Sequence, residues 1–167
     1  MITIRSERPS DVDAITRVTC QAFAHAQHSS HTEHFIINAL RRARQLSVSL
    51  VAEDGGQIIG HVAVSPVSIS SGATGWHGLG PISVMPERQR QGVGSLLMQH
   101  ALAALQQAGA TGCVLLGDPA YYGRFGFAPV AQLVLPDVPP EYFQAISFTG
   151  HWPTGIVRYH AAFDASA

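Results

Sequence analysis

The stretch "ERQRQGVGSLL", residues 87–97, constrains the fold more than any other part of the chain. It leads into a segment where Leu97, Ala101, Ala104, Leu105 and Ala108 recur at helical spacing and stop at Gly109. The run "CVLL" at 113–116 then reads as a short strand covered on both faces. Upstream, residues 76–84 read as another strand, so strand, loop, helix and strand make a βαβ unit with parallel strands and a right-handed crossover. Gly80 and Pro81 stand inside the first of these strands. A proline cannot donate to a regular ladder, so a bulge or splay is expected there. The loop falls where free backbone N–H groups and the positive end of a helix dipole converge, which suits an anion. Gly92 and Gly94 have no Cβ to keep a phosphate from the main chain, and Gln89, Arg90 and Gln91 can add donors. A pyrophosphate fits that set, although the same glycines would also serve a helix start that binds nothing.

Two familiar phosphate loops do not match. No Gly-Lys-Ser/Thr ending follows, as a nucleoside-triphosphate loop needs, and Leu97 stands where a dinucleotide fingerprint has its third glycine. A dinucleotide fingerprint also belongs after the first strand of a domain, and this loop comes late.

The remaining chain is alternating and short-looped. Residues 2–5 read as a first strand, and Ser10 with Asp13 resembles a capping box ahead of a helix over about residues 11–24. Ile36, Ala39, Leu40 and Ala43 mark a second helix, with Arg41, Arg42 and Arg44 near its far end, where cations suit the dipole. Residues 48–53 and 57–65 flank "DGG" and read as a hairpin, and residues 67–70 as a continuation of its second strand beyond Pro66. "DPAYYGRFGF" reads as one short helix between turns, and residues 128–135 and 156–160 as closing strands.

The 167 residues suit one domain spanning 1–167, with 46 % hydrophobic and 13 % charged residues, an ordinary globular balance. Ten Lys and Arg against eleven Asp and Glu leave no strong field for nucleic acid or an anionic membrane, so a small-molecule ligand is the default expectation. The start lacks the build of a secretory signal, and no apolar stretch nears the ~20 residues of a membrane span, so a cytoplasmic location is expected. Cys20 and Cys113 each lie in an apolar pattern and read as buried thiols rather than a disulfide.

"Q-R-Q-G-V-G" resembles the Gln/Arg-x-x-Gly-x-Gly/Ala signature of the GCN5-related N-acetyltransferase (GNAT) superfamily. "YYGRFGF" resembles that superfamily's Tyr-x-x-x-Gly-Phe element, in the same order and at a similar separation. Further stretches, "SLVAEDGGQIIGHVAVSPV", "LGPISVMPERQRQGVG", "LGDPAYYGRFGF" and "GIVRYHAAF", look like the YhbS-like branch, so the resemblance covers about residues 2–163. It implies an α/β (α+β) GNAT fold: a central mixed β-sheet of about six to seven strands flanked by helices, with splayed central parallel strands. It also implies acetyl-coenzyme A as co-substrate, no metal, and acetyl transfer to a primary amine of a small molecule or peptide by direct attack in a ternary complex.

Carried over residue by residue, the resemblance gives Gln89, Arg90, Gln91, Gly92, Val93, Gly94 and Ser95 to the pyrophosphate. Ile82, Ser83 and Val84 would pair through their backbone with the pantetheine amides, as an added strand does. Backbone N–H groups just past the bulge could meet the thioester oxygen as charge develops on it. Tyr122 aligns with the tyrosine that protonates the departing thiolate; a phenol is a neutral donor, and the other reading is a packed aromatic. Tyr121, Phe125 and Asp118 border the cofactor in this alignment; Asp118 stands where many relatives have Asn, and Arg124 could reach a phosphate.

The attacking amine must shed a proton, to a side chain or a water chain. Glu33, His77 and His61 are the candidates. His151, Trp152, Tyr159 and His160 either line the acceptor side or pack. His25, His28, His31 and His34 recur every three residues, but that spacing drifts round a helix and only Glu33 adds a carboxylate, so a metal site is not expected. The resemblance implies acceptor contact instead, because in this superfamily the link between the first two helices commonly borders the acceptor pocket. Rival readings are a non-catalytic acyl-coenzyme A sensor and an acyltransferase with another acyl donor. Families resembling this one leave open a homodimer.

Overall fold

The computed structural model describes residues 1–27 and 29–167. Six strands form the main sheet in the order β1-β2-β3-β5-β6-β8: β1 (Ile2–Ser6), β2 (Val48–Asp54), β3 (Gln57–Pro66), β5 (Trp76–Val84), β6 (Gly112–Leu116) and β8 (Phe143–Ser147). A smaller sheet joins β4 (Ser68–Ile69), β9 (Gly155–Arg158) and β7 (Leu133–Val134). The helices are α1 (Val12–Phe23), α2 (Glu33–Arg42), α3 (Val93–Gln107) and the one-turn α4 (Pro119–Tyr122). This is the central mixed sheet of about six to seven strands flanked by helices that the resemblance implies, with two corrections. Residues 67–70 do not prolong β3 within its sheet, since β4 pairs with β9. The strand that closes the main sheet beyond β6 is β8, "FQAIS", whereas β7 and β9 pair with each other.

The β2–β3 hairpin turns through Gly55 and Gly56, both at positive φ (59° and 81°), conformations that glycine adopts without steric penalty. On β3 the alternation of side chains fixes the two faces of the sheet. A Cβ on Gly60 would stand 3.1 Å from Leu97 Cδ1 and 3.3 Å from Val93 Cγ1, so this position faces α3. The next residue, His61, pairs across the ladder with Ser83, whose hydroxyl lies 3.5 Å from Thr19 Oγ1 on α1. Helices α1 and α3 therefore cover opposite faces.

Val93, Leu97, Met98, Ala101 and Leu105 are the buried face of α3. Leu97 is wholly buried, and a leucine buried to this extent contributes about 1.5–3 kcal/mol. The helix ends as the sequence anticipates, in a Schellman turn. Gly109 (φ 81°) donates to Gln106 O at 3.1 Å and Ala110 to Leu105 O at 3.0 Å. Helix α2 ends in the same pattern, with Gln45 N–H donating to Leu40 O at 2.9 Å, but the left-handed position there is Arg44 (φ 56°). At the start of α1 the Ser10–Asp13 box does not form. A 3-10 turn (Pro9–Asp11) precedes the helix, and Asp11 accepts from the Arg8 N–H at 2.6 Å instead. Arg5 clamps the same Asp11 with two bonds of 2.8 and 3.1 Å, which holds that carboxyl below its ordinary range. Cys113 is buried as expected, but Cys20 faces outward from α1.

Among the described residues no helix is long and apolar enough to cross a membrane.

Candidate active site

The site begins where the parallel strands part. β5 and β6 pair only from Trp76–Gly112 to Gly78–Val114, and β6 continues in register with β8 alone. On its other side β5 stays paired with β3, through a bulge: Val62 faces Ile82 and Val64 faces Leu79, so Gly80 and Pro81 together oppose Ala63. The bulge and splay expected from Gly80 and Pro81 are thus both present, and residues 79–84 offer an edge that β6 does not cover.

Beyond that edge lies a cleft of about 560 Å³ lined by Ile82, Ser83, Val84, Gln89, Arg90, Gly92, Gly94, Ser95, Tyr121, Tyr122 and Arg124. Arg90 (φ 63°) and Gly92 (φ 87°) both take left-handed conformations, and Gly92 is the N-cap of α3 without a side-chain cap bond. The first-turn N–H groups of a helix have no partner within it, so this end favours an anion. Gln89 donates to the Val84 carbonyl at 3.1 Å and ties the loop to the strand. The Tyr121 hydroxyl sits 3.0 Å from where a Gly94 Cβ would be, close over the loop. The Arg124 guanidinium carbon stands over the Tyr121 ring, 4.6 Å from its centroid, with Nη2 3.3 Å from Ser95 Oγ.

Tyr122 ends α4, whose N-cap Asp118 accepts from the Ala120 N–H at 2.9 Å. Its ring lies on Gly117, where a Cβ would come within 2.2 Å of Cε2. The buried Gln144 on β8 donates to the Gly117 carbonyl at 2.9 Å, so the platform under the tyrosine is itself held. Burial, with smaller contributions from Tyr121 and Asp118, pushes the Tyr122 phenol up to about 12. At neutral pH it is a protonated donor.

A second cavity, about 340 Å³, also borders Tyr122. Phe23, Glu33, Ile36, Leu79, Gly80, Pro81, Ile82, Leu116, Tyr159 and Phe163 complete its wall. Only Tyr122 and Ile82 border both this cavity and the cleft. Glu33 is fixed by Ser29, whose hydroxyl lies 2.8 and 2.7 Å from its two carboxylate oxygens. It also borders a neighbouring hollow of about 220 Å³ with Cys20, His31 and His34.

Several expected residues lie elsewhere. His77 lines a separate cavity with Arg41 and Arg44 and meets Ser47 Oγ at 3.1 Å, so it is not brought to Tyr122. His61 is wholly buried, with Nε2 2.8 Å from Ser49 Oγ, and desolvation lowers its pKa despite the nearby Glu7. It borders neither cavity beside Tyr122. Gln91 bonds back to Glu87 O and Arg88, Val93 points into the core, and Phe125 packs on the main core beside Tyr121. Asp118 is a cap rather than a lining residue. Of the C-terminal candidates only Tyr159 reaches the 340 Å³ cavity: Trp152 packs on Trp76 at 6.0 Å between centroids, and His160 Nδ1 accepts from the Ala162 N–H. In the histidine run His25 is exposed, His31 and His34 border the hollow, and His28 lies outside the described residues. Among the described residues no three His, Cys, Asp or Glu side chains group as metal ligands would.

The sequence alone does not single out Gly117, Gln144, Phe23, Ile36 or Phe163 as residues of the site. The glycine before the Asp-Pro of α4 was the one visible signal, since a strand-to-helix glycine often marks a close approach.

The splayed sheet and the glycine-turned helix start leave an anion-suited cleft beside a tyrosine that also borders a second cavity. The family model for the acetyltransferase (GNAT) domain matches residues 3–130. The chain is 34 % identical over 168 residues to the uncharacterized N-acetyltransferase YhbS of Escherichia coli, covering 96 % of this chain and 98 % of that protein. A crystal structure of a GNAT family acetyltransferase from Brucella melitensis in complex with acetyl-CoA superposes with TM-score 0.88 at 48 % identity, over 98 % of this chain and 99 % of that one. The structure of YhbS from Escherichia coli in complex with CoA gives TM-score 0.88 at 33 % identity, over 99 % and 93 %. The chain belongs to the GNAT acetyltransferase family, and so to the acyltransferases.

Proposed function

We propose that this protein transfers acetyl from acetyl-coenzyme A to a primary amine by direct attack with both substrates bound, and that the two cavities bordered by Tyr122 are the donor and acceptor sites. The carrying observation is that Tyr122 borders both. The donor fits the cleft on the chain's own features: the open Gly92–Gly94 turn, Arg124 over Ser95, and the uncovered edge of β5. Similar proteins with acetyl-CoA and CoA bound support the same reading.

Acetyl-coenzyme A supplies an activated acyl thioester. Gly92, Gly94, Ser95, Gln89 and Arg90 would hold its pyrophosphate, with Arg124 adding a cation. The backbone of Ile82, Ser83 and Val84 would bind its amide-bearing arm in the manner of an added strand. Donors beside the Gly80–Pro81 bulge favour the negative charge that grows on the acyl oxygen. Tyr122 delivers its phenolic proton to the departing sulfur as the new N–C bond forms and the C–S bond breaks. The proton released by the amine goes to the acceptor side, where Glu33 is the carboxylate on the wall, directly or through water. The products are an amide and a free thiol.

The test is a calorimetric titration with acetyl-coenzyme A, free coenzyme A and longer acyl forms. Tight binding with preference for acetyl supports the reading; no binding of any of them removes it.

A further inference from the structure

The acceptor-side cavity has a chemistry of its own, and its reading rests on the donor assignment above. Among the described residues Glu33 is the one charged side chain on the 340 Å³ wall, and no cation stands there. Much of the remaining surface is aromatic, from Phe23, Tyr122, Tyr159 and Phe163. Burial raises the Tyr159 phenol, so both phenols are neutral at physiological pH. Such a wall suits one ammonium group, drawn by a carboxylate and by ring faces, attached to an apolar body. It has nothing to pair with a substrate carboxylate or phosphate, and only one anion for a polycation.

We propose that the acceptor is a compact amine carrying a single positive charge on an apolar or aromatic body, and that Glu33 selects it by holding the ammonium group. The volume is at the small end for ligand pockets, which favours a body of about one ring. Ser29 hydrogen-bonds both Glu33 oxygens and fixes the carboxylate before the amine arrives, so little ordering remains for binding.

The test compares 2-phenylethylamine with phenylalanine, putrescine and a lysine-containing peptide, reading thiol release from acetyl-coenzyme A. The expected result is kcat/KM for 2-phenylethylamine at least tenfold above each of the other three. In Glu33→Gln its KM rises at least tenfold while the dissociation constant of acetyl-coenzyme A stays within twofold; Glu33→Asp recovers part of the loss. Equal or better turnover of any comparison amine overturns the assignment, as does an unmoved KM in Glu33→Gln. Tight donor binding with no turnover of 2-phenylethylamine overturns the acceptor class and leaves the donor reading standing. Absence of donor binding removes both.

Discussion

Replacing Gly94 with alanine should raise stability and lower donor affinity, two effects of opposite sign from one methyl group. Gly94 is the second residue of α3, in a right-handed helical conformation where alanine is favoured over glycine by about 0.5–1 kcal/mol. Close to the helix start the lower value applies, and for a chain of this size about 0.5 kcal/mol raises Tm by about 1–2 °C. The new Cβ would lie 3.0 Å from the Tyr121 hydroxyl and 3.9 Å from Val84 Cγ2, with nothing else within 4 Å. The hydroxyl is the far end of a movable side chain, so the fold accommodates the methyl. The ligand does not have that freedom. A phosphate held by the α3 N–H groups at about 2.9 Å ceases to be hydrogen-bonded once pushed past about 3.5 Å. Losing one charge-assisted bond costs about 1.5–3 kcal/mol. At 1.4 kcal/mol per decade this weakens acetyl-coenzyme A binding about ten- to hundredfold, and Gly94→Val should do at least as much. Calorimetry of the donor and thermal unfolding of the free protein read the two effects separately. A folded Gly94→Ala variant that binds the donor as tightly as the parent refutes a phosphate at this turn.

Arg44→Gly should stabilise the free protein by up to about 1 kcal/mol in chemical denaturation, because Arg44 closes α2 at φ 56°, a conformation that costs a residue with a Cβ. Stability should fall as pH drops below 6.5, the ordinary histidine value, because buried His61 resists protonation in the fold and takes a proton freely when unfolded. Below the ordinary carboxylate range Glu7 adds to the loss: burial opposes its charge, but contacts with His61, Arg41 and Ser49 outweigh burial and hold its pKa low. Urea midpoints at pH 7, 6 and 5 measure the slope, and His61→Gln should flatten its upper part.

The cleft at the glycine loop was legible because its signals are local. The glycine loop, the Gly80–Pro81 interruption and Tyr122 each declare themselves within a few residues, and the βαβ order places them together. The 340 Å³ cavity was legible only in Glu33 and Tyr159, since Phe23, Leu116 and Phe163 join them only after α1, α2, β6 and the C-terminal turn have packed. His77 lies on the strand that carries the bulge, but three residues before it, where its ring meets Ser47 Oγ. The strand β8 was passed over because "FQAIS" is short, carries a buried glutamine and lacks the Val-rich look of 128–135. That glutamine is polar for a reason the sequence does not display, the hydrogen bond to Gly117 O beneath Tyr122. Cys20 looked buried by its apolar neighbours, but its place on α1 turns it outward, into the hollow beside Glu33.

The most direct test of a tyrosine acting between two substrate sites is amine-dependent thiol release by the parent protein and by Tyr122→Phe, with donor affinity measured alongside. The account predicts turnover that requires an amine, a kcat at least a hundredfold lower in Tyr122→Phe, and donor dissociation constants within threefold of each other. Tight donor binding with no amine-dependent thiol release, or a Tyr122→Phe variant with full kcat, would contradict it.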